Sequence, residues 1–123
     1  MKRITRILGG LIALHGLARI VFLTTYVDFV QQNFSHLVSN STWLTYGAVA
    51  APFTEFFVGM LITLQIRLKY TLIAGLFISY IMSVFLVTEG MYERMVYHVI
   101  VMAALSYTFI NCPEDCNRAF MLK

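Results

Sequence analysis

Four stretches of this chain run almost without charge, and polar or aromatic residues punctuate them. They extend from about Ile7 to Tyr26, Thr45 to Gln65, Tyr70 to Thr88 and Tyr92 to Ile110. At about 1.5 Å rise per residue, each is long enough to cross a hydrocarbon layer about 30 Å thick. Tyr26, Trp43, Tyr46 and Tyr92 sit at the ends of these runs, where amphipathic rings concentrate at a membrane interface. Between the first two runs, Asp28 to Ser41 is polar but carries Phe29, Val30, Phe34, Leu37 and Val38 near helical spacing. It reads either as a short amphipathic helix on the outer membrane face or as a loop with scattered apolar residues. Pro52 lies inside the second run and implies a kink or a late helix start. Asn111-Cys112-Pro113 ends the fourth, since proline cannot continue the hydrogen-bond ladder.

Short connections between the later runs predict antiparallel neighbours. The expectation is an all-α polytopic membrane protein. One four-helix transmembrane bundle fills residues 1–123, with a longer first outer loop and a tail over 111–123. Two stripes of small residues support close helix packing: Ala51, Gly59 and Thr63 around Glu55, and Gly75, Ser79 and Ser83 on the third run.

Composition strengthens the membrane reading. The 123 residues are 59% hydrophobic and only 12% charged, too little charge to cover a water-soluble domain of this size. A net charge of +3, scattered along the chain, gives no footprint for nucleic acid. Its placement is informative, however. Lys2, Arg3, Arg6, Arg67, Lys69, Arg118 and Lys123 fall on one side of the expected topology, and only Arg94 falls on the other. Cytoplasmic segments are rich in Lys and Arg, so both termini are expected in the cytoplasm, in a bacterial inner membrane. The basic start and the small residues Gly16 and Ala18 also have the shape of a signal peptide. The apolar run resumes at Ile20, which favours a retained span. Two sequons, at Asn33 and Asn40, are short matches of the kind that arise by chance in polar loops.

Ionisable residues inside spans are costly and need partners. Counting turns from the outer aromatic anchors puts Arg19, Glu55 and His98 about 9–13 Å below the outer interface. Ser83 comes from the third helix at a similar level, and His15 lies one turn deeper on the Arg19 face. The expectation is one buried polar layer in the outer half of the bundle. Arg19 and Glu55 are its natural ion pair, because a guanidinium grips a carboxylate through paired donors. His98 and His15 complete the network, and an imidazole there is able to carry protons. The layer either fixes helix register or binds a quinone, a lipid or a partner helix. No ligand spacing for a metal, phosphate loop or nucleophile elbow is evident, so no cofactor is implied and independent catalysis is not expected. Cys112 and Cys116 are spaced CxxxC. They read as ordinary cytoplasmic thiols, as a redox pair, or as a contact for a metal or partner. Glu114 and Asp115 between them disfavour strong nucleophilicity.

Arg6 to Gly10 followed by His15-Gly16-Leu17-Ala18-Arg19 resembles the first helix of the DoxX-like membrane proteins. Thr54 to Ile62 followed by Arg67 resembles their second. The aromatic, Met-rich fourth run and the Cys112/Cys116 tail depart from that pattern. The resemblance, which extends to the MauE proteins, implies a redox-associated membrane accessory or anchoring subunit. It would work with a membrane-protein partner or as a homo-oligomer in the bilayer. The alternative from the residues themselves is a small carrier or channel moving a proton or solute through the polar layer.

Overall fold

The computed structural model describes residues 2–112 and is all-α. Its five helices are α1 (Lys2–Val21), α2 (Leu23–Phe34), α3 (Ser41–Leu64), α4 (Leu68–Thr88) and α5 (Tyr92–Ile110). Three of them, α1, α3 and α4, are long and apolar enough to cross a membrane. Large apolar side chains such as Leu11, Leu14, Phe57, Phe77 and Ile100 point outward on these helices and on α5. An apolar exterior of that extent is foreign to a soluble monomer and indicates a lipid environment. Helix α5 matches their length but opens with Glu93, Arg94 and His98 in its first two turns.

The first helix differs from the expected span. It starts at Lys2 and stops at Val21, so Tyr26 belongs to α2. The break falls at Phe22, where φ −103° and ψ 38° leave the helical region. Phe22 N–H still donates to Ala18 and Tyr26 N–H to Phe22, so the chain bends there without unravelling. The segment after it forms a helix rather than a loop, and it begins before Asp28. Tyr26, Phe29, Val30 and Phe34 turn inward, while Thr24, Thr25, Asp28, Gln31 and Gln32 are exposed. Helix α3 starts at an Asn40 cap whose side chain accepts from Thr42 N–H at 2.9 Å. It runs unbroken through the fully buried Pro52. A proline is accommodated inside an apolar helix when a neighbouring helix shields the freed carbonyl. The Pro52 side of α3 packs against α1, close to Gly16.

Helix α1 lies along α3, α3 against α4, and α4 against α5, while α2 folds back over α3. The α1–α3 crossing is the closest. A methyl group at Gly16 would stand 2.6 Å from Phe56 N and 2.9 Å from the Pro52 carbonyl; one at Gly9 would stand 2.8 Å from the Gly59 carbonyl. Only hydrogen side chains fit there, so the two backbones touch. Gly75 likewise leaves room for Leu105, whose methyl would lie 3.1 Å from a Cβ at that site.

The α3–α4 turn places Gln65 (φ 58°) and Arg67 (φ 43°) in the left-handed region. Ile66 N–H reaches back to Leu61 and Gln65 N–H to Ile62, closing the helix end. Two apolar clusters fill the interior. Ile12, Val58, Ile62, Leu72, Val101 and Leu105 form one towards the Gln65 end. Val30, Phe34, Leu44, Ala48 and Leu86 form the other beneath α2.

Candidate functional site

The glycine crossing fixes the centre of the site. Because α1 touches α3 at Gly16, Arg19, one turn further on, faces Glu55 beside Phe56. Arg19 Nη1 donates to Glu55 Oε2 at 3.0 Å, with side chains 19% and 9% exposed. Arg19 occupies the last turn of α1, where the helix dipole favours a cation. Its guanidinium also lies over the Tyr26 ring, 5.0 Å from the centroid. The bend at Phe22 brings that ring back onto it.

The two histidines meet through an aromatic residue of α5. His15 stacks on Tyr97 with centroids 4.3 Å apart and 27° between planes. Tyr97 meets His98 edge-on at 5.2 Å. His15 Nε2 stands 4.0 Å from Glu55 Oε1, beyond hydrogen-bond reach. That nitrogen is buried and has no hydrogen-bond partner among the described residues. His98 is 2% exposed. The expected layer thus has two parts, an ion pair between α1 and α3 and a ring stack between α1 and α5.

Ser83 takes no part in either. It is buried, but its hydroxyl donates to the Ser79 carbonyl at 2.8 Å within α4. A serine in a helix has that local acceptor always at hand, and depth alone does not reveal which way its hydroxyl turns. Cys112 is half-buried against the cluster of Ile62 and Leu105. Cys116 lies outside the described residues.

Beside the layer is a cavity of about 540 Å³. His15, Arg19, Arg94, Tyr97 and His98 line its polar part; Phe34, Leu44, Ile81, Met82, Phe85 and Leu86 are among its apolar walls. Beyond Trp43 and Leu44, the α3 wall continues through Gly47, Ala48 and Ala51, whose short side chains leave space open. Helix α2 covers one side. It is fastened by Gln31 Nε2 donating to Thr45 Oγ1 at 2.8 Å, by the edge-on Phe34–Phe85 contact, and by His36 Nε2 against Glu89 Oε1 at 2.8 Å. A shallower recess of about 350 Å³ shares His15, Arg19, Tyr26, Phe29 and Arg94 with the cavity and forms its flank.

Arg94, Tyr97, Tyr26 and Phe29 were not among the residues expected at the site. Arg94 lies one helical turn before His98, so helical spacing was a usable signal for it. Its guanidinium rests over Phe29, 4.2 Å from the centroid. Among the described residues no group of three or more His, Cys, Asp or Glu side chains is placed to hold a metal ion. Comparison of the chain with models of known families, with curated proteins and with solved structures found no match.

Proposed function

We propose that the chain is a small integral membrane protein that holds a lipophilic guest in the cavity beside the Arg19–Glu55 pair. The observation that carries this reading is the cavity itself. About 540 Å³ falls within the usual range for small-molecule sites, and its mixture of apolar walls with a few convergent polar groups is what such sites have. A quinone head group or a lipid suits that lining. In this reading α1, α3, α4 and α5 span the bilayer as one four-helix unit. Helix α2 lies at the outer face and both termini are cytoplasmic. The Arg19–Glu55 pair holds α1 to α3, and the guest occupies the space that all five helices line.

The short connections leave little protein outside the spans, which favours an accessory or anchoring subunit over a self-sufficient enzyme. The resemblance of the first and second spans to those of the DoxX-like proteins favours a redox-linked complex. A second reading, a proton or solute carrier, draws on the row His98, Tyr97, His15 and Glu55. The 4.0 Å gap between His15 and Glu55 counts against direct proton transfer.

Purification in gentle detergent, followed by extraction and mass spectrometry, tests the guest reading. A lipophilic molecule retained in near-stoichiometric amount and enriched over bulk lipid is expected. An extract that mirrors the surrounding membrane would overturn it. Proteoliposome proton flux that falls in both Glu55→Gln and His98→Ala would favour the carrier instead.

A further inference from the structure

The polar part of the cavity is not electrically balanced. Two guanidiniums line it, those of Arg19 and Arg94, and both line the flanking recess as well. Arg19 lies over Tyr26 and Arg94 over Phe29. Those rings are three residues apart on α2, so they are neighbours on one helix face, with Cβ atoms about 5–6 Å apart. The two cations therefore lie over neighbouring rings of one helix and line the same recess. Glu55 neutralises Arg19 through the 3.0 Å contact. Arg94 has no carboxylate partner among the ion pairs of the described residues. Glu93, its sequence neighbour, neither lines the cavity nor forms one of those ion pairs, and Glu89 stands 2.8 Å from His36. Arg94 is exposed in the first turn of α5, so one positive charge without a carboxylate partner remains free at the entrance to an apolar chamber. The orphaned His15 Nε2 is a further polar atom awaiting a partner beside it.

We infer that the guest is a single-chain amphiphile with an anionic head, a carboxylate or a phosphate. Its head lies between Arg94 and Arg19 and its alkyl chain lies among Phe34, Leu44, Met82 and Leu86. This rests on the guest reading above and narrows it. A guanidinium presents donors in a fork that suits either anion. A neutral head such as an alcohol or a quinone carbonyl would leave the Arg94 charge uncompensated. The apolar walls exclude a free inorganic anion as the natural occupant, since such an ion gains nothing from them.

The test uses the full chain in nanodiscs of zwitterionic phosphatidylcholine, with radiolabelled palmitate, hexadecyl phosphate and hexadecanol as probes. These share a chain length and differ in the head. At least one anionic probe should bind about tenfold more tightly than the alcohol, as expected for a charge-assisted hydrogen bond. The tighter of the two identifies the head group. Arg94→Gln should abolish the preference, while Arg94→Lys should keep most of it. Phe29→Leu removes the supporting ring but not the charge, and should also keep it. Equal binding of hexadecanol and both anions would overturn the anionic head, and a preference that survives Arg94→Gln would overturn its placement against Arg94; either result leaves a lipophilic guest in place. Saturable binding of none of the three would overturn the guest reading itself.

Discussion

Helix α1 meets the rest of the molecule in two opposite ways. On its Gly9, Ala13 and Gly16 face it lies backbone to backbone against α3, with no space for a methyl group on Gly9, Gly16 or the facing Gly59. On its His15 and Arg19 face it meets α5 only through side chains, as in the His15–Tyr97 stack, and beside that contact lies a cavity of about 540 Å³. One contact is closed by the absence of side chains. The other is held open because large rings on α5 and α2 meet short residues on α3. The Arg19–Glu55 pair stands at the boundary, anchored by the closed contact and lining the open one through Arg19. A bundle needs the first kind of contact to fold in lipid, where apolar burial gives helices little reason to associate. The second kind is not needed for folding, and that is why it reads as a site.

The largest effect should come from filling the closed contact. Gly59→Leu drives a side chain into the backbone of Ala13 and Gly9. Overpacking of a rigid wall costs about 3 kcal/mol or more. Unfolding in mixed detergent micelles should show that loss. Gly10→Ala is the control, since a Cβ there meets nothing within 4 Å. Equal behaviour of the two variants would mean that α1 and α3 are not in backbone contact.

Next in size is the boundary. Glu55→Gln leaves Arg19 without its counter-charge in a site only 19% exposed, at a cost of about 3 kcal/mol. The double exchange Arg19→Glu with Glu55→Arg should recover part of that stability. Equal damage from the single and the double variants would show that the pair does not hold the helices.

A smaller loss belongs to the loop over the cavity. Asn40→Ala removes the side chain that accepts from Thr42 N–H and should cost about 1 kcal/mol. The readout is faster amide exchange in the first turn of α3, with the Gly16 crossing undisturbed. Spread of that loss to the crossing would mean that the open and closed regions are one cooperative unit.

Much of this division can be read along the chain. The apolar runs over Thr45 to Gln65 and Tyr70 to Thr88 end where α3 and α4 end, to within a few residues. Charges stop at membrane interfaces, so those boundaries are written in composition. Arg19 and Glu55 were conspicuous for the same reason, because a charge amid leucines and phenylalanines demands an explanation. The bend at Phe22 was not legible, since no glycine or proline marks it and the flanking hydrogen bonds are kept. Depth counting places Ser83 in the interior, where it is buried, but does not reveal that its hydroxyl donates to the Ser79 carbonyl of its own helix. Arg94 was read only as an outer-turn charge. What makes it part of the site is the return of α2, a tertiary event that brings Phe29 beneath its guanidinium.

The smallest expected effect on stability is also the most discriminating. Ala51→Leu adds part of a side chain to the same helix as Gly59→Leu, two turns away, but at a position that lines the cavity. Ala51 is half-buried, and the space beside it accepts the new carbons without displacing a backbone. Stability in micelles should change by less than about 1 kcal/mol, while retention of any lipophilic guest should fall. A collapse as large as that of Gly59→Leu would mean that the chamber closes in the folded protein and that both faces of α1 are packed alike. Unchanged stability together with unchanged guest retention would place the guest elsewhere. Only the combination of a tolerated side chain and a lost guest separates a space kept for binding from a contact kept for folding.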